Sequence, residues 1–462
     1  MRMATPPSRL VFAAASALAL VLACGESGAP GTGSGGLAGD GGVAGLGGAG
    51  AGAATANAGS DSTRAGASAA GATSTAGSAG DSGGGGTAAT GGSAAAGSGA
   101  AGNGGVAGAA GGSAGAAGMV HPGGLHTQAD LQRIRSNVAA GLEPWASAWA
   151  AIRNADAGPG YQPNVTATIT DGYAIQNQGH AAYVLAMKWV ASGDSAYAAA
   201  AIRVLNAWVD NVTVLGAGTT SLRTGIGAVQ LANAAEIIAH AFDGSAGWPD
   251  AQVGKAKSWF GSVVWPRIGD GASQRSSNWG TSAMAGCMAV AIFADDVAKF
   301  DYTVDAYRNG FTDTDDGCSG VTQYIWSASG QATEAGRDQN HPQGGVAHLV
   351  EVALMAWHQG TDLLSYADHR VVAGMEYLAK YNLGNDVPYD ANFADPCNVH
   401  PNWPVISSAG RGTFSPVYEM ASKLFSLGEV AHPYTLQVLA SPGYRPEKTN
   451  SDHVGLGTLT YR

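Results

Sequence analysis

Residues 181–208 read AAYVLAMKWVASGDSAYAAAAIRVLNAW, and this stretch decides the fold. Tyr183, Val184, Met187 and Val190 recur at helical spacing, and Gly193-Asp194 interrupts them. Tyr197, Ala201, Val204, Leu205 and Trp208 then begin a second stripe. Apolar residues at every third or fourth place give a helix one face to bury. A glycine stops one helix and an aspartate starts the next. Two such stripes across so short a break form a helical hairpin.

The same pattern extends in both directions. Thr127 with Asp130 three residues on is a capping box, followed by Leu131, Ile134 and Val138, then Trp145, Trp149 and Ile152. Further stripes occupy about 226–243, 252–264, 281–298, 343–358, 362–381 and 417–427. Strand-like alternation is confined to 162–170 and the last dozen residues. Eight or more helices, joined by Gly-rich and Asn/Asp-rich loops, predict an all-α fold of stacked hairpins. An α/α toroid, an incomplete barrel with inner and outer helices around a cleft, fits the length; a plain bundle is the alternative. Trp145, Trp149, Trp189, Trp208 and Trp357 lie on the stripes and read as core.

Composition divides the chain. Residues 25–118 hold 35 of the 71 glycines, 29 alanines and no aromatic residue, which is too little apolar surface to offset chain entropy. They read as a disordered linker, and 119–462 as the folded domain. That domain keeps all 11 histidines and 20 basic against 30 acidic residues, without a Lys/Arg-rich run. A nucleic-acid partner needs a dense basic footprint, so it is excluded. A polyanionic substrate needs only a local basic cleft.

Ahead of the linker, Arg2 and Arg9 precede a short apolar run, Leu10 to Ala23, ending in Val21-Leu22-Ala23-Cys24. Residues 1–23 read as a lipoprotein signal peptide and Cys24 as the lipidated first residue, with Gly25 favouring the outer membrane, on its periplasmic or cell-surface face. The lipid is then the only membrane contact. In an oxidising compartment Cys318 and Cys397, both in polar loops, can pair, while Cys287 lies in an apolar run and reads as buried. No ligand spacing suggests zinc. A monomer without metal or cofactor is expected.

Three polar segments, each just before a helix, carry the chemistry: Arg275-Ser276-Ser277-Asn278-Trp279-Gly280, Glu334 through Gln343, and Gly410 through Glu419. The second packs Glu, Arg, Asp, Gln, Asn and His into ten residues, which makes it either a solvated cap or the rim of a cleft. In a toroid all three can share one rim.

These residues resemble the alginate lyase superfamily of polysaccharide lyases over essentially all of 119–462. The carrying features begin with His121-Pro122 through Thr127 and with Ser192-Gly193-Asp194 leading to Trp208. They continue with Asn278-Trp279-Gly280, Glu334-x-Gly336-Arg337-Asp338-Gln339-x-His341-x-Gln343, and Arg411-Gly412-x-Phe414-x-Pro416-Val417-Tyr418-Glu419. The pattern is closest to polysaccharide lyase families thirty-eight and five. It departs from family five where Trp279, not His, follows Asn278. The resemblance implies an α/α toroid and β-elimination on a uronate polymer, alginate or glucuronan.

The residues suit that reaction. A base removes the C5 proton, an acid protonates the departing O4, and donors stabilise the carboxylate as charge develops on it. The expected roles are Tyr418 as base and acid with Arg411 lowering its pKa, and His341 as its assistant or as base for the other epimer. Asn278, Glu334 and Arg411 then contact the carboxylate, while Arg337, Gln339, Gln343 and Trp279 bind substrate. Two alternatives stay open. A toroidal glycoside hydrolase would use Glu334 with Asp338 or Asp390 as its carboxylate pair, and a non-catalytic surface glycan binder would keep the polymer but not the chemistry.

Overall fold

The computed structural model describes residues 118–269, 277–311, 318–393, 401–447, 452–453 and 455–462. Cys24, the linker up to residue 117, Arg275, Ser276, the acidic loop 312–316 and Cys397 lie outside the described residues. Cys318 is in a disulfide.

Helices alternate between buried and half-buried along the chain. The first hairpin is α1 (Gln128–Ala139) with α2 (Trp145–Ile152), and the second is α3 (Gly172–Ser192) with α4 (Ser195–Asn211). Next come α5 (Ser221–His240), α6 (Asp250–Trp259) and, after a π-turn at Phe260–Val264, α7 (Trp265–Ile268). The fourth pair is α8 (Asn278–Phe293) with α9 (Val297–Asn309), followed by the short α10 (Val321–Tyr324). Then α11 (Asn340–His358) pairs with α12 (Tyr366–Asn382), and α13 (Tyr418–Leu427) with α14 (Pro433–Leu439). The first turn of α12 is left-handed, with Ala367, Asp368 and His369 at φ 52 to 57°.

Neighbouring inner helices pack in sequence, α3 on α5, α5 on α8, and α8 on α11, and α13 follows against α11. Outer helices α4, α9 and α12 back onto α3, α8 and α11. The last helix, α15 (Gly457–Tyr461), touches α1, α2 and α13 and so joins the first hairpin to the last. This is the α/α toroid predicted from the stripes.

Local chemistry explains where the helices begin. The Thr127–Asp130 capping box is formed on both sides. Gly193 takes φ 72°, a left-handed cap that a side chain would strain, and Asp194 accepts from the Ala196 N–H at 2.9 Å. Asp171, Thr220, Ser277 and Asp296 cap α3, α5, α8 and α9 in the same way.

The inner helices meet almost backbone to backbone. A Cβ on Gly225 of α5 would sit 2.5 Å from the Ser282 carbonyl of α8, and one on Gly179 of α3 would sit 2.6 Å from the Gly227 carbonyl. That closeness accounts for the Ala/Gly richness of α5 and α8. Trp208 and Trp189 are core, as expected, and Trp145, Trp149 and Trp357 pack on its edge.

The two strand-like stretches fare differently from expectation. Only Thr168–Ile169 (β1) pairs, in parallel with Val214–Leu215 (β2), and it gathers the entries to α3 and α5 at one end of the ring. The C-terminal alternation is a helix instead. Leu456 through Thr460 are all buried, so packing on α1 and α13 overrides a period of two.

Candidate active-site cleft

The N-terminal ends of α5, α8 and α11 surround a cleft of about 170 Å³. Arg223 and Ile226 come from α5, Asn278 from α8, and Asn340, His341 and His348 from α11, with Asp452 opposite. The N–H groups at these helix starts are already engaged, Asn278 by Glu334 and Asn340 and His341 by Asp338, so an anion in the cleft must be met by side chains. A larger hollow of about 480 Å³ between α13, α14 and α15 contains neither Asn278 nor the 334–343 loop. The smaller cleft carries the reactive groups.

Segment 334–343 is the hub that joins the three polar loops. Glu334 is fully buried and accepts from the Asn278 N–H at 2.9 Å, the Tyr324 hydroxyl at 3.0 Å and Arg337 Nη1 at 2.9 Å. It therefore ties this loop to the start of α8. Gly345 leaves room for the Tyr324 ring, since a Cβ there would lie 1.9 Å from the hydroxyl. Toward the third loop, the Gln339 side chain donates to the Ser407 carbonyl at 2.9 Å, and Gln343 donates to the Thr413 carbonyl at 3.0 Å. The three segments are thus bonded to one another, but only the first two contribute residues to the cleft lining.

His341 and Asp338 form a dyad. The Asp338 carboxylate accepts from His341 Nδ1 at 2.6 Å and from the backbone N–H groups of Asn340 and His341 at 2.8 and 2.9 Å. Burial works to raise the Asp338 pKa, but these hydrogen bonds outweigh it and hold the pKa below the usual range. With Nδ1 engaged, Nε2 of the half-buried His341 is left as an acceptor. The Asn278 carboxamide oxygen is buried without a hydrogen-bond partner, so its side chain is uncommitted within the protein. Trp279 is half-buried beside it.

Among the described residues, Arg223 is the Lys or Arg that lines the cleft. It donates to the Gln176 side chain at 2.6 Å and to the hydroxyl of exposed Tyr173 at 2.8 Å, stacks over the Tyr173 ring at 4.0 Å, and lies 3.8 Å from Asp452. Below the cleft, Glu351 accepts from His348 at 2.8 Å and His453 at 3.1 Å. Burial opposes its charge, yet the two imidazoles hold its pKa down to about 2.

Several expected roles do not fit this geometry. Tyr418 has no exposed surface, and its hydroxyl donates to Gln343 at 2.9 Å. Burial, and after it Glu376, pushes its pKa well above that of free tyrosine. The cation expected beside it is elsewhere: Arg411 donates to the Tyr381 and Asn385 carbonyls at 2.9 and 3.0 Å and covers the Tyr381 ring. A base must be reachable by the polymer and easily ionised, and Tyr418 is neither. Gln339 and Gln343 are likewise fully buried, so they shape the loops and do not line the cleft. Arg337 is partly exposed but is committed to Glu334. The carboxylates expected of a hydrolase are committed to the protein: Glu334 is fully buried and accepts from Asn278, Tyr324 and Arg337, Asp338 accepts from His341, and Asp390 accepts from the Asn392 N–H.

Sequence reasoning passed over Arg223, Tyr173, His348 and Asp452. One signal was present for Arg223: a cation in the first turn of a helix opposes the macrodipole.

A family model described as alginate lyase matches residues 137–387. No curated protein matches the chain. Among solved structures, a histidine-to-alanine variant of alginate lyase A1-III complexed with a tetrasaccharide superposes with a TM-score of 0.53 at 13% identity, covering 74% of this chain and 97% of that one. The same variant in its apo form gives 0.51 at 14% identity, with coverage of 74% and 97%. The A1-III enzyme from Sphingomonas species A1 gives 0.46 at 14%, covering 75% and 97%. At such low identity, the likeness in the first two speaks to the toroidal fold.

Proposed function

The chain belongs to the alginate lyase family and is a polysaccharide lyase, and from that premise we propose that its cleft cleaves a uronate polymer of the alginate or glucuronan type with His341 as the base. The observation that carries this reading is the Asp338–His341 dyad at a cleft shared with Arg223 and Asn278. His341 Nε2 takes the C5 proton of the uronate. The electron pair left behind forms the C4–C5 double bond, and the C4–O4 bond breaks. Tyr173, held by Arg223, protonates O4 as it leaves. Arg223 and the Asn278 amide stabilise the carboxylate as negative charge spreads onto it. Glu334, Gln343 and Tyr418 act behind the rim by holding Asn278 and the 334–343 loop in place. An anionic polymer as the partner agrees with the oligosaccharide bound to the A1-III variant.

An ultraviolet assay over alginate blocks, glucuronan and hyaluronan tests the reading, because elimination leaves an absorbing double bond and hydrolysis does not. Rising absorbance on one uronate polymer supports it. New reducing ends without absorbance would replace it with a hydrolase.

Envelope tethering belongs to the same proposal. A lipid on Cys24 and 94 Gly-rich residues, 25–118, would form a leash. Flexible chain of that length has a root-mean-square reach of roughly 50–60 Å and a stretched limit on the order of 300 Å. Cys24→Ala should shift the protein from the membrane to the soluble fraction; unchanged membrane recovery would remove the anchor.

A further inference from the structure

At the end of α5 remote from the cleft, a second cluster of polar groups has no part in the elimination. Glu236 and His240 lie four residues apart on α5, and His121, three residues into the described chain, stacks on His240 with ring centroids 4.2 Å apart. Ligand atoms of these three residues lie within 4.8 Å of one another. Glu236 is a buried carboxylate: Oε1 accepts from His121 Nδ1 at 2.7 Å and from the Gly123 N–H at 3.0 Å. Its other oxygen is buried without a hydrogen-bond partner, and so is His240 Nε2, 3.9 Å away. Two unsatisfied buried atoms at that separation are too far apart to bond each other.

We propose that His121, Glu236 and His240 form a binding site for a divalent transition-metal ion, of which zinc is the type. Metal–nitrogen and metal–oxygen bonds of about 2.0–2.2 Å span the gap between His240 Nε2 and Glu236 with little movement. Imidazole and carboxylate ligands suit such an ion. Asp295, from the α8–α9 connection, supplies a further element of metal-site design. Its Oδ1 lies 2.7 Å from His121 Nε2, while Lys257 holds its other oxygen. A carboxylate on the remote ring nitrogen fixes the tautomer that leaves Nδ1 free to ligate. On binding, the ion replaces the proton shared by His121 Nδ1 and Glu236 Oε1, and that proton leaves to water. With three protein ligands, a water completes the shell. The ion pins the segment around His121 to α5 and, through Asp295, to the α8–α9 connection.

The other cluster of this type, His348, Glu351 and His453, differs because both Glu351 oxygens already accept from its two histidines.

The test is elemental analysis of the full-length protein equilibrated with zinc and then desalted. About one zinc per chain is expected in the wild type, with stoichiometric zinc lost in Glu236→Gln and in His240→Ala. The partly exposed His240 makes its variant the safer folder, and circular dichroism checks both. Added zinc should raise the Tm of the wild type and leave that of His240→Ala unmoved. No stoichiometric zinc in the wild type, or unchanged zinc in both variants, would overturn the site and leave a bridging water between Glu236 and His240. Zinc lost from His348→Gln but kept in His240→Ala would overturn it in favour of the other cluster.

Discussion

The two ends of α5 carry charges that a lone helix would place the other way round. Arg223 occupies the first turn, where the macrodipole disfavours a cation, and Glu236 lies one turn from the end, where it disfavours an anion. Thirteen residues of helix, roughly 20 Å, separate them. The surroundings of the two ends differ. Arg223 is partly open, borders a cleft and holds a tyrosine hydroxyl, whereas Glu236 is sealed among histidines. Charges set against the helix at both ends cost stability unless a partner offsets them, and under the two proposals those partners are the polymer and the ion. The open end suits a polymer that must enter and leave, and the closed end suits an ion that stays.

Breaking the open end should have the larger effect on turnover. Arg223→Ala removes the cleft's cation and should lower kcat/KM by about 10²–10³-fold with the fold retained, measured by initial rates on the preferred polymer. Loss of rate no greater than that of an exposed arginine elsewhere would show that the rim needs no cation.

Acid probes the buried histidines and carboxylates elsewhere in the domain. His126 is buried against the Tyr183 hydroxyl, and burial lowers its pKa to about 3. The folded state keeps it neutral while the unfolded chain protonates below its ordinary 6.5. Its contribution is complete above pH 6.5 and is lost as pH falls toward 3. Between pH 6.5 and 4.5 the loss should be about 2–3 kcal/mol, read from denaturant midpoints. Glu351 adds to the loss below its ordinary 4.5, as pH falls toward about 2. A stability curve flat from pH 7 to 4.5 would contradict the neutral His126.

A finer comparison sets Asp338 against the remaining loop residues. Asp338→Asn leaves the His341 ring in place but weakens its orientation, and turnover should fall on the order of tenfold to a hundredfold. Gln339→Ala should act through stability, since Gln339 bonds only protein groups. A kcat loss in a fully folded Gln339→Ala would mean that this loop is coupled to chemistry.

Much of this was legible in the sequence, for identifiable reasons. Helical stripes broken by Gly193-Asp194 encode both the hairpin and its caps, so the toroid could be read from 181–208 outward. The polar run 334–343 stood out because so many hydrogen-bonding groups without apolar neighbours must meet one another or a ligand. What could not be read was which of them meet which. Tyr418 at a helix start looks accessible until α13 is packed, and Gln343 then takes its hydroxyl into the core. Arg223, just ahead of the 226–243 stripe, was passed over because its partners, Tyr173, Gln176 and Asp452, come from other elements. The His121, Glu236 and His240 cluster has no local spacing motif, since one ligand is more than a hundred residues from the other two.

The central claim is that the base is His341 and not Tyr418. The direct measurement is the rate of ultraviolet-absorbing product from His341→Ala and Tyr418→Phe, side by side on the same uronate polymer, with both folds checked. His341→Ala should lose about 10²–10⁴-fold in kcat, and Tyr418→Phe should stay within about threefold while losing about 1 kcal/mol of stability with its hydrogen bond to Gln343. The reverse outcome, an active His341→Ala and a dead but folded Tyr418→Phe, would contradict the account.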